Sequence, residues 1–514
     1  MSGNSQPSEQ DSKGCHRVNA HQWNRQIVLE KLAQHEAHLT MAEIGLSDLR
    51  KQRHDLYQLL NVTTPMMSIL PLDVFVEIFY AACIDDVELS KHPSQFLIGS
   101  VCRAWRHVAW TTPGLWSKIN IILSHKIYEN QIYLLQEWLF RSGACLLDWN
   151  IKLAHSSHKA SWDPPVDFFF MIFQTCHRWK SFEFFGPSKN LRLALSQTPN
   201  VQFPKLKCLD LLGATRSKEW AFRWPPILET LHLRKNRTSW NLQLDWTILT
   251  TLEVRSYLKD IVAHLPALNS VRTLGVDLRG SSLPMPFTNP PYQLPCLTNL
   301  QVTGGTSVVG PLLALLKVPV LETLIIEMMA VAANPDYPWN DDFIKMAEQS
   351  SFRLTTLYMD INIKAREANE DIEEHVLSVL AEIPSIEKFT FSCEHHNYYV
   401  LANSFIRHLC LSSSNPSRPV HLPNLCYFEY RGPLDVELEV LYSMIEYKLN
   451  SLQSNTLTSN GTPVPPKKFE LKFVYSNIHW YRDQDPDALH VFYANLAQFD
   501  ANTFSFELVW DRPD

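Results

Sequence analysis

Six times the chain spells Pro-x-Leu/Ile-x-x-Leu/Phe-x-apolar, and no other feature restricts its fold as much. These copies occupy residues 204–211, 226–233, 295–302, 319–326, 384–391 and 423–430. Weaker copies without the proline lie at 179–184, 249–254, 271–276 and 354–359. The middle apolar residue then falls at 182, 209, 231, 252, 274, 300, 324, 357, 389 and 428. One Leu-x-x-Leu-x-Leu match carries almost no weight in a chain that is 45% hydrophobic. Six with the proline in the same place, at a step mostly between about 20 and 29 residues, mark a stacked repeat. Each copy reads as a short strand whose alternate side chains enter a core, with the earlier apolar residue packed where the chain turns in. A single unit leaves its apolar face bare, so neighbours must stack into a continuous parallel sheet.

This pattern resembles leucine-rich repeats. It departs from them where an Asn or Cys usually follows the strand, since of the copies from 209 to 324 only the one leading to Asn236 has it. The expected fold class is α/β, with residues 119–514 forming an irregular leucine-rich-repeat-like solenoid around a curved parallel sheet. Its longer C-terminal steps should hold fuller helices or loops. The alternative is an ordinary α/β domain with Leu-rich strands. Stretches 281–295, 334–342 and 451–466 read as surface loops on composition. In each repeat the residue after the middle apolar one should point away from the core, onto the concave face. These residues include Asp210, His232, Glu253, Gln301, Ile325, Tyr358, Thr390 and Glu429. The line mixes charges with apolar and aromatic members, which suits a protein surface as ligand. Taken singly, each position also fits plain solvent exposure.

Residues 1 to about 20 are small and polar without periodicity and read as a disordered tail. Over 21–62 the pattern is helical: Val28, Leu32, His35, Leu39, Ala42, Leu46, Leu49, Arg53, Leu56 and Leu60 alternate at spacings of four and three. This heptad stripe has polar faults at His35 and Arg53, and Gly45 costs about 1 kcal/mol of helix propensity. It predicts either self-association or a partner helix through 28–60, or a long helix laid against the neighbouring domain.

Residues 63–118 are compact and apolar. Pro71 suits a first helical turn, and Asp73 favours the helix dipole there. Leu72, Phe75, Val76 and Phe79 follow at the spacing of one buried helix face, ending near Cys83. After a polar spacer at 85–92, Pro93 opens a second helix with Leu97, Val101, Ala104, Trp105 and Val108 on one side. Thr112, Pro113 and Gly114 stop it, and Leu115 and Trp116 form an apolar hook.

This segment closely resembles an F-box, through Leu70-Pro71, Ile78-Phe79, Val101-Cys102-Arg103-x-Trp105-Arg106 and Leu115-Trp116. With the upstream heptad helix it is similar to the large F-box families of mushroom-forming fungi. It departs from them at Asp73, where Pro or Glu is usual, and in its longer spacer. The resemblance implies a three-helix motif docking on the Skp adaptor of an SCF-type ubiquitin ligase and, through it, on a cullin scaffold. Carried over, Leu70, Pro71, Ile78, Phe79, Val101, Cys102, Trp105, Leu115 and Trp116 would form the domain core and adaptor surface. Phe75 and Val108 belong to the core first. The chain would then be a substrate receptor and not an enzyme, holding an unknown target protein on its solenoid.

Several function classes lack support. The formal net charge is −7, so no basic excess invites nucleic acid or anionic lipid. The most apolar window, 308–333, is broken by Pro311, Lys317, Pro319, Glu322 and Glu327, short of the ~20 apolar residues of a membrane helix. Ten cysteines contain no CxxC pair, and the N-terminus lacks an apolar signal core, so a cytoplasmic or nuclear protein is expected. No Gly-rich phosphate loop or GxSxG elbow occurs. Cys393-Glu394-His395-His396 has a metal-like composition, but it reads more simply as a polar turn after a strand. His35 and His38, one helical turn apart, could bind a metal at i, i+3, but helices carry such pairs by accident. No catalytic residue, metal or cofactor is expected.

Overall fold

The computed structural model describes residues 12–63, 70–84, 93–154, 162–187, 189–212, 227–233, 244–279, 291–329, 339–362, 369–393, 401–410, 422–454, 467–475 and 486–510. It is a mixed α/β protein with 14 α-helices and one long parallel sheet among these residues. Two compact units divide at Leu115/Trp116.

The first unit opens with α1 (Ser12–Thr63), one continuous helix. It begins inside the segment expected to be a disordered tail; residues 1–11 lie outside the described residues. Three short helices follow: α2 (Leu72–Ile84), α3 (Ser94–Val101) and α4 (Arg103–Thr111). The spacer at 85–92 lies outside the described residues. The single helix expected after Pro93 is two, because Cys102 adopts an extended conformation (φ −156°, ψ 172°) and breaks it. Cys102 then caps α4, its Sγ accepting from the Trp105 amide at 3.4 Å. Arg106 Nε donates to the Gly99 carbonyl at 2.8 Å and satisfies a carbonyl at the end of α3. Leu97, Val101 and Ala104 are exposed, while Ile98 and Val108 are buried. On α2, Phe75 and Phe79 are buried as expected for one face, but Leu72 is exposed and Val76 only half-buried.

Among the described residues the second unit carries, besides two small two-stranded sheets, one sheet of fourteen strands, each hydrogen-bonded in parallel to the next strand of that sheet in chain order. They are β1 (Lys118–Leu123), β2 (Leu147–Leu153), β3 (Trp179–Phe185), β4 (Cys208–Leu212), β5 (Thr230–Leu233), β6 (Thr251–Tyr257) and β7 (Thr273–Arg279). Then come β8 (Asn299–Gly304), β9 (Thr323–Met329), β10 (Thr356–Asn362), β11 (Lys388–Ser392), β12 (Tyr427–Arg431), β13 (Phe469–Tyr475) and β14 (Phe504–Trp510). From β6 onward the longest helices lie in later connections, although the connection after β1 already holds a helix of 14 residues, Tyr128–Arg141. Helix α8 (Leu258–Val262) after β6 has 5 residues, whereas α10 (Trp339–Ser350), α11 (Asn369–Ala381) and α13 (Leu438–Ser454) have 12, 13 and 17.

All ten middle apolar residues read from the sequence lie on one register row, from Phe182 through Leu209, Leu252 and Leu300 to Phe428. The row continues to Ile119 and Trp149 on one side, and to Leu471 and Phe506 on the other. The apolar residue three positions before each marker closes the turn into the strand. Leu206, Leu228, Leu249, Val271, Leu297, Leu321, Leu354, Ile386 and Leu425 are all fully buried. Each fully buried Leu or Ile contributes about 1.5–3 kcal/mol, and a slip of one residue would turn every such side chain outward.

The proline has a local cause as well. The residue before it accepts from the amide two residues after it, at Leu206→Phe203, Leu297→Leu294, Leu321→Val318, Ile386→Ile383 and Leu425→Leu422. Proline thus occupies the second position of a tight turn, where its fixed φ costs nothing and its missing N–H is not needed. At the strand entry two consecutive amides share one carbonyl of the preceding coil. Thr250 and Thr251 both donate to Glu229 O, and Thr298 and Asn299 both donate to Arg272 O.

Helices cover the face that bears the apolar rows. Phe169 of α6 (Val166–Phe173) meets Phe184 at 5.6 Å between ring centroids, and Phe405 of α12 (Asn403–Cys410) meets Phe391 at 5.8 Å. The residues between the apolar ones form the opposite face.

Candidate functional sites on the three-helix unit and the sheet face

The core of the first unit is aromatic. Trp105 lies 6.1 Å from Phe75 and 5.1 Å from Phe79, measured between ring centroids, and ties α4 to α2. Gly99 sits under Trp110, where a Cβ would stand 1.9 Å from the indole ring, so no side chain fits there without moving it. Gln95 is buried and donates to the Leu115 carbonyl at 3.0 Å.

Around that core, five apolar side chains of α2 and α3 remain in the open. Leu72, Val74, Ile78, Leu97 and Val101 are between 38% and 62% exposed. A unit this small closes around few side chains and leaves apolar surface that a partner can cover. The nine residues carried over from the F-box resemblance separate accordingly. Pro71, Ile78 and Val101 are exposed; Leu70, Cys102 and Trp105 are half-buried; Phe79, Leu115 and Trp116 are buried. Phe79 is therefore an interior residue rather than part of an exposed surface, and so is Leu115. Trp116 falls beyond the unit boundary, in the core of the second unit. Its ring lies 5.1 Å from that of Trp138, with the Arg141 guanidinium 4.8 Å from its centroid. Leu72 and Leu97, expected on buried helix faces, are exposed, and so is Val74, which the sequence reading did not single out.

On the sheet, the eight residues expected on the concave face do share one register row. Asn120, Asn150, Glu183, Gly275, Lys472 and Glu507 complete it. Glu183 and Gly275 directly follow markers 182 and 274, so the repeat itself would have named them. Gly275 leaves room for its neighbour, since a Cβ there would stand 2.9 Å from Glu253 Cγ.

Two of the eight are not open to solvent. Asp210 is buried between neighbours, its Oδ2 3.2 Å from His232 Nδ1. Glu429 is buried because Tyr427 donates its hydroxyl at 2.6 Å and Arg431 its Nε at 3.0 Å. The others are exposed (Gln301) or half-buried. His232 Nε2 also lies 3.9 Å from Glu253 Oε1. Burial, with the Asp210 carboxylate next in effect, pushes the Glu183 carboxyl up. One row further along the strands, Arg255 and Arg279 grip Asp277 at 3.0 and 3.1 Å, and Thr303 donates to Glu327 at 2.9 Å. Acidic side chains in this pattern accept hydrogen bonds and bind cationic groups.

Cys393 is fully buried, its thiol raised well above the usual value by burial and then by Asp360. Residues 394–396 of that motif lie outside the described residues. Among the described residues no three His, Cys, Asp or Glu side chains converge as for a metal ion, and no helix is long and apolar enough to cross a membrane. No protein-family model and no curated protein matches the chain.

Proposed function

We propose that this chain is the substrate receptor of an SCF-type ubiquitin ligase. Its 63–118 segment is read as an F-box that docks on the Skp adaptor, and residues 119–514 as a leucine-rich-repeat-like solenoid that holds a target protein. One observation carries the reading: a three-helix unit closes its own core with Phe75, Phe79 and Trp105 yet leaves five apolar side chains of α2 and α3 exposed. The long row of mixed charged, polar and aromatic side chains across the fourteen strands of the sheet supports a protein as the second ligand. The receptor performs no bond chemistry itself; it raises the effective concentration of the target's lysines near the ubiquitin-charged enzyme.

Co-expression with the host's Skp adaptor followed by size-exclusion chromatography tests this. Wild type should co-elute with the adaptor. An Ile78→Glu/Val101→Glu variant should elute alone while its thermal unfolding is unchanged. Folded wild type that runs alone at high micromolar concentration would reject the ligase reading and leave a repeat scaffold with an N-terminal helical unit.

A further inference from the structure

The heptad stripe of α1 is uncovered. Val28, Leu32, Leu39, Leu46, Leu49, Leu56 and Leu60 are each 48% to 67% exposed, and His35, Ala42 and Arg53 are exposed too. From the spacing, Leu32, Leu39, Leu46, Arg53 and Leu60 take the a positions of a heptad, and Val28, His35, Ala42, Leu49 and Leu56 take the d positions.

We infer that a second copy of this chain covers the stripe, the two α1 helices running antiparallel with their two-fold axis at the level of Ile44. In that register every a residue meets a d residue. Val28 faces Leu60 of the second copy, Leu32 faces Leu56, Leu39 faces Leu49 and Ala42 faces Leu46. The two polar faults fall opposite each other, His35 against Arg53. The parallel arrangement instead stacks Arg53 on Arg53 at one level. Antiparallel pairing holds the two guanidinium groups 18 residues apart along the helix, about 27 Å.

The flanking residues agree with this direction. In an antiparallel pair the e positions face one another, which brings Glu36 against Arg50 and Leu29 against Tyr57 of the second copy; the one like-charge meeting is Glu43 with itself at the centre. Leu29 and Tyr57 are both more than half exposed. At roughly 60–120 Å² of apolar surface per fully exposed Leu, implied by its transfer energy, the exposed parts of the seam and these flanks would bury on the order of 300–600 Å² of apolar surface per chain. A standard interface of ~800 Å² per partner is about 60% apolar, on the order of 480 Å², which lies within that range. The inference stands independently of the adaptor reading, and a dimer would present two target-binding faces together.

Sedimentation velocity of the full-length chain at about 1–20 µM, around the micromolar affinities at issue, is the test. The expected result is a dimer, with Leu39→Glu/Leu49→Glu at least about 100-fold weaker. Both side chains are exposed, and an unchanged near-ultraviolet circular dichroism spectrum from the Trp-rich second unit would show that the rest stays folded. Direction is read from charge swaps. Glu36→Arg should weaken the dimer about tenfold, and adding Arg50→Glu should restore it. A monomeric wild type, or a trimer or larger assembly, overturns the inference. Restoration by Lys31→Glu in place of Arg50→Glu overturns the antiparallel direction, because Lys31 meets Glu36 only in a parallel pair.

Discussion

The rings of Phe79 and Trp105 lie 5.1 Å apart, tilted by 54°, and join the second helix of the N-terminal unit to its fourth. Trp105 thus works first as a packing residue. Trp105→Ala should destabilise the first unit by about 3 kcal/mol. Ile78→Glu, on the exposed side of the same helix as Phe79, should change stability by under about 0.5 kcal/mol. Urea unfolding of both variants would check this, and equal effects would contradict the assignment of core and surface.

Gly99 has no room for a methyl group, because its Cβ would meet Trp110 at 1.9 Å. Gly99→Ala is expected to cost about 1–3 kcal/mol through overpacking, seen as a lower Tm and altered tryptophan fluorescence. A wild-type Tm would mean the helices adjust freely.

The Arg178 guanidinium donates to Cys145 O at 2.8 Å and to Ser142 Oγ at 2.7 Å, and closes the C-terminal end of α5 (Tyr128–Arg141). Burial lowers its pKa, with no carboxylate opposing the effect. Arg178→Ala leaves a buried carbonyl without its donor and should cost about 2–3 kcal/mol. Arg178→Lys should recover only part of this, since an ammonium cannot reproduce the fork. Chemical denaturation of the three proteins gives the comparison.

Glu183 binds its proton more tightly in the folded chain than its usual 4.5, through burial and then the Asp210 carboxylate. A raised carboxyl costs stability at neutral pH, and that cost fades as pH falls through the raised folded value toward 4.5. Glu183→Gln should therefore raise Tm near about pH 7.5, with the gain shrinking to nothing near about pH 4. A gain that grew on acidification would reverse the assignment.

Leu274 and Gln301 lie on neighbouring strands one row apart, the first fully buried and the second exposed. Leu274→Ala should cost about 2–5 kcal/mol and Gln301→Ala under about 0.5 kcal/mol. If a target is found, only the Gln301 change is expected to alter its binding without altering the melting curve.

The repeat was legible because it is local: a turn needing proline, an apolar residue at the entry and alternation along the strand all fall within eight residues. Four strands escaped it. The strands at Ile119, Trp149, Leu471 and Phe506 fill the same row with different side chains around them; the copies at Ile119, Trp149 and Phe506 lack the proline, and the copy at Leu471 keeps Pro466 but has Lys468 where the entry residue should be apolar. The helix break at Cys102 was not legible either. Leu97, Val101, Ala104, Trp105 and Val108 keep a helical spacing straight across it, so the periodicity does not mark the extended Cys102.

From sequence alone came the stacking of Leu-rich strands into a parallel sheet, the row of residues turned away from the core and the heptad stripe of the first helix. These follow from periodicity, which the backbone geometry of strand and helix converts directly into faces. Tertiary structure decided which members of those faces are reachable. Asp210 and Glu429 sit on the outward row yet are closed in by His232, Tyr427 and Arg431, while Leu72 and Leu97 sit on apolar faces yet stand in the open. Exposure depends on neighbours brought from distant strands and helices, and no spacing within one segment encodes that.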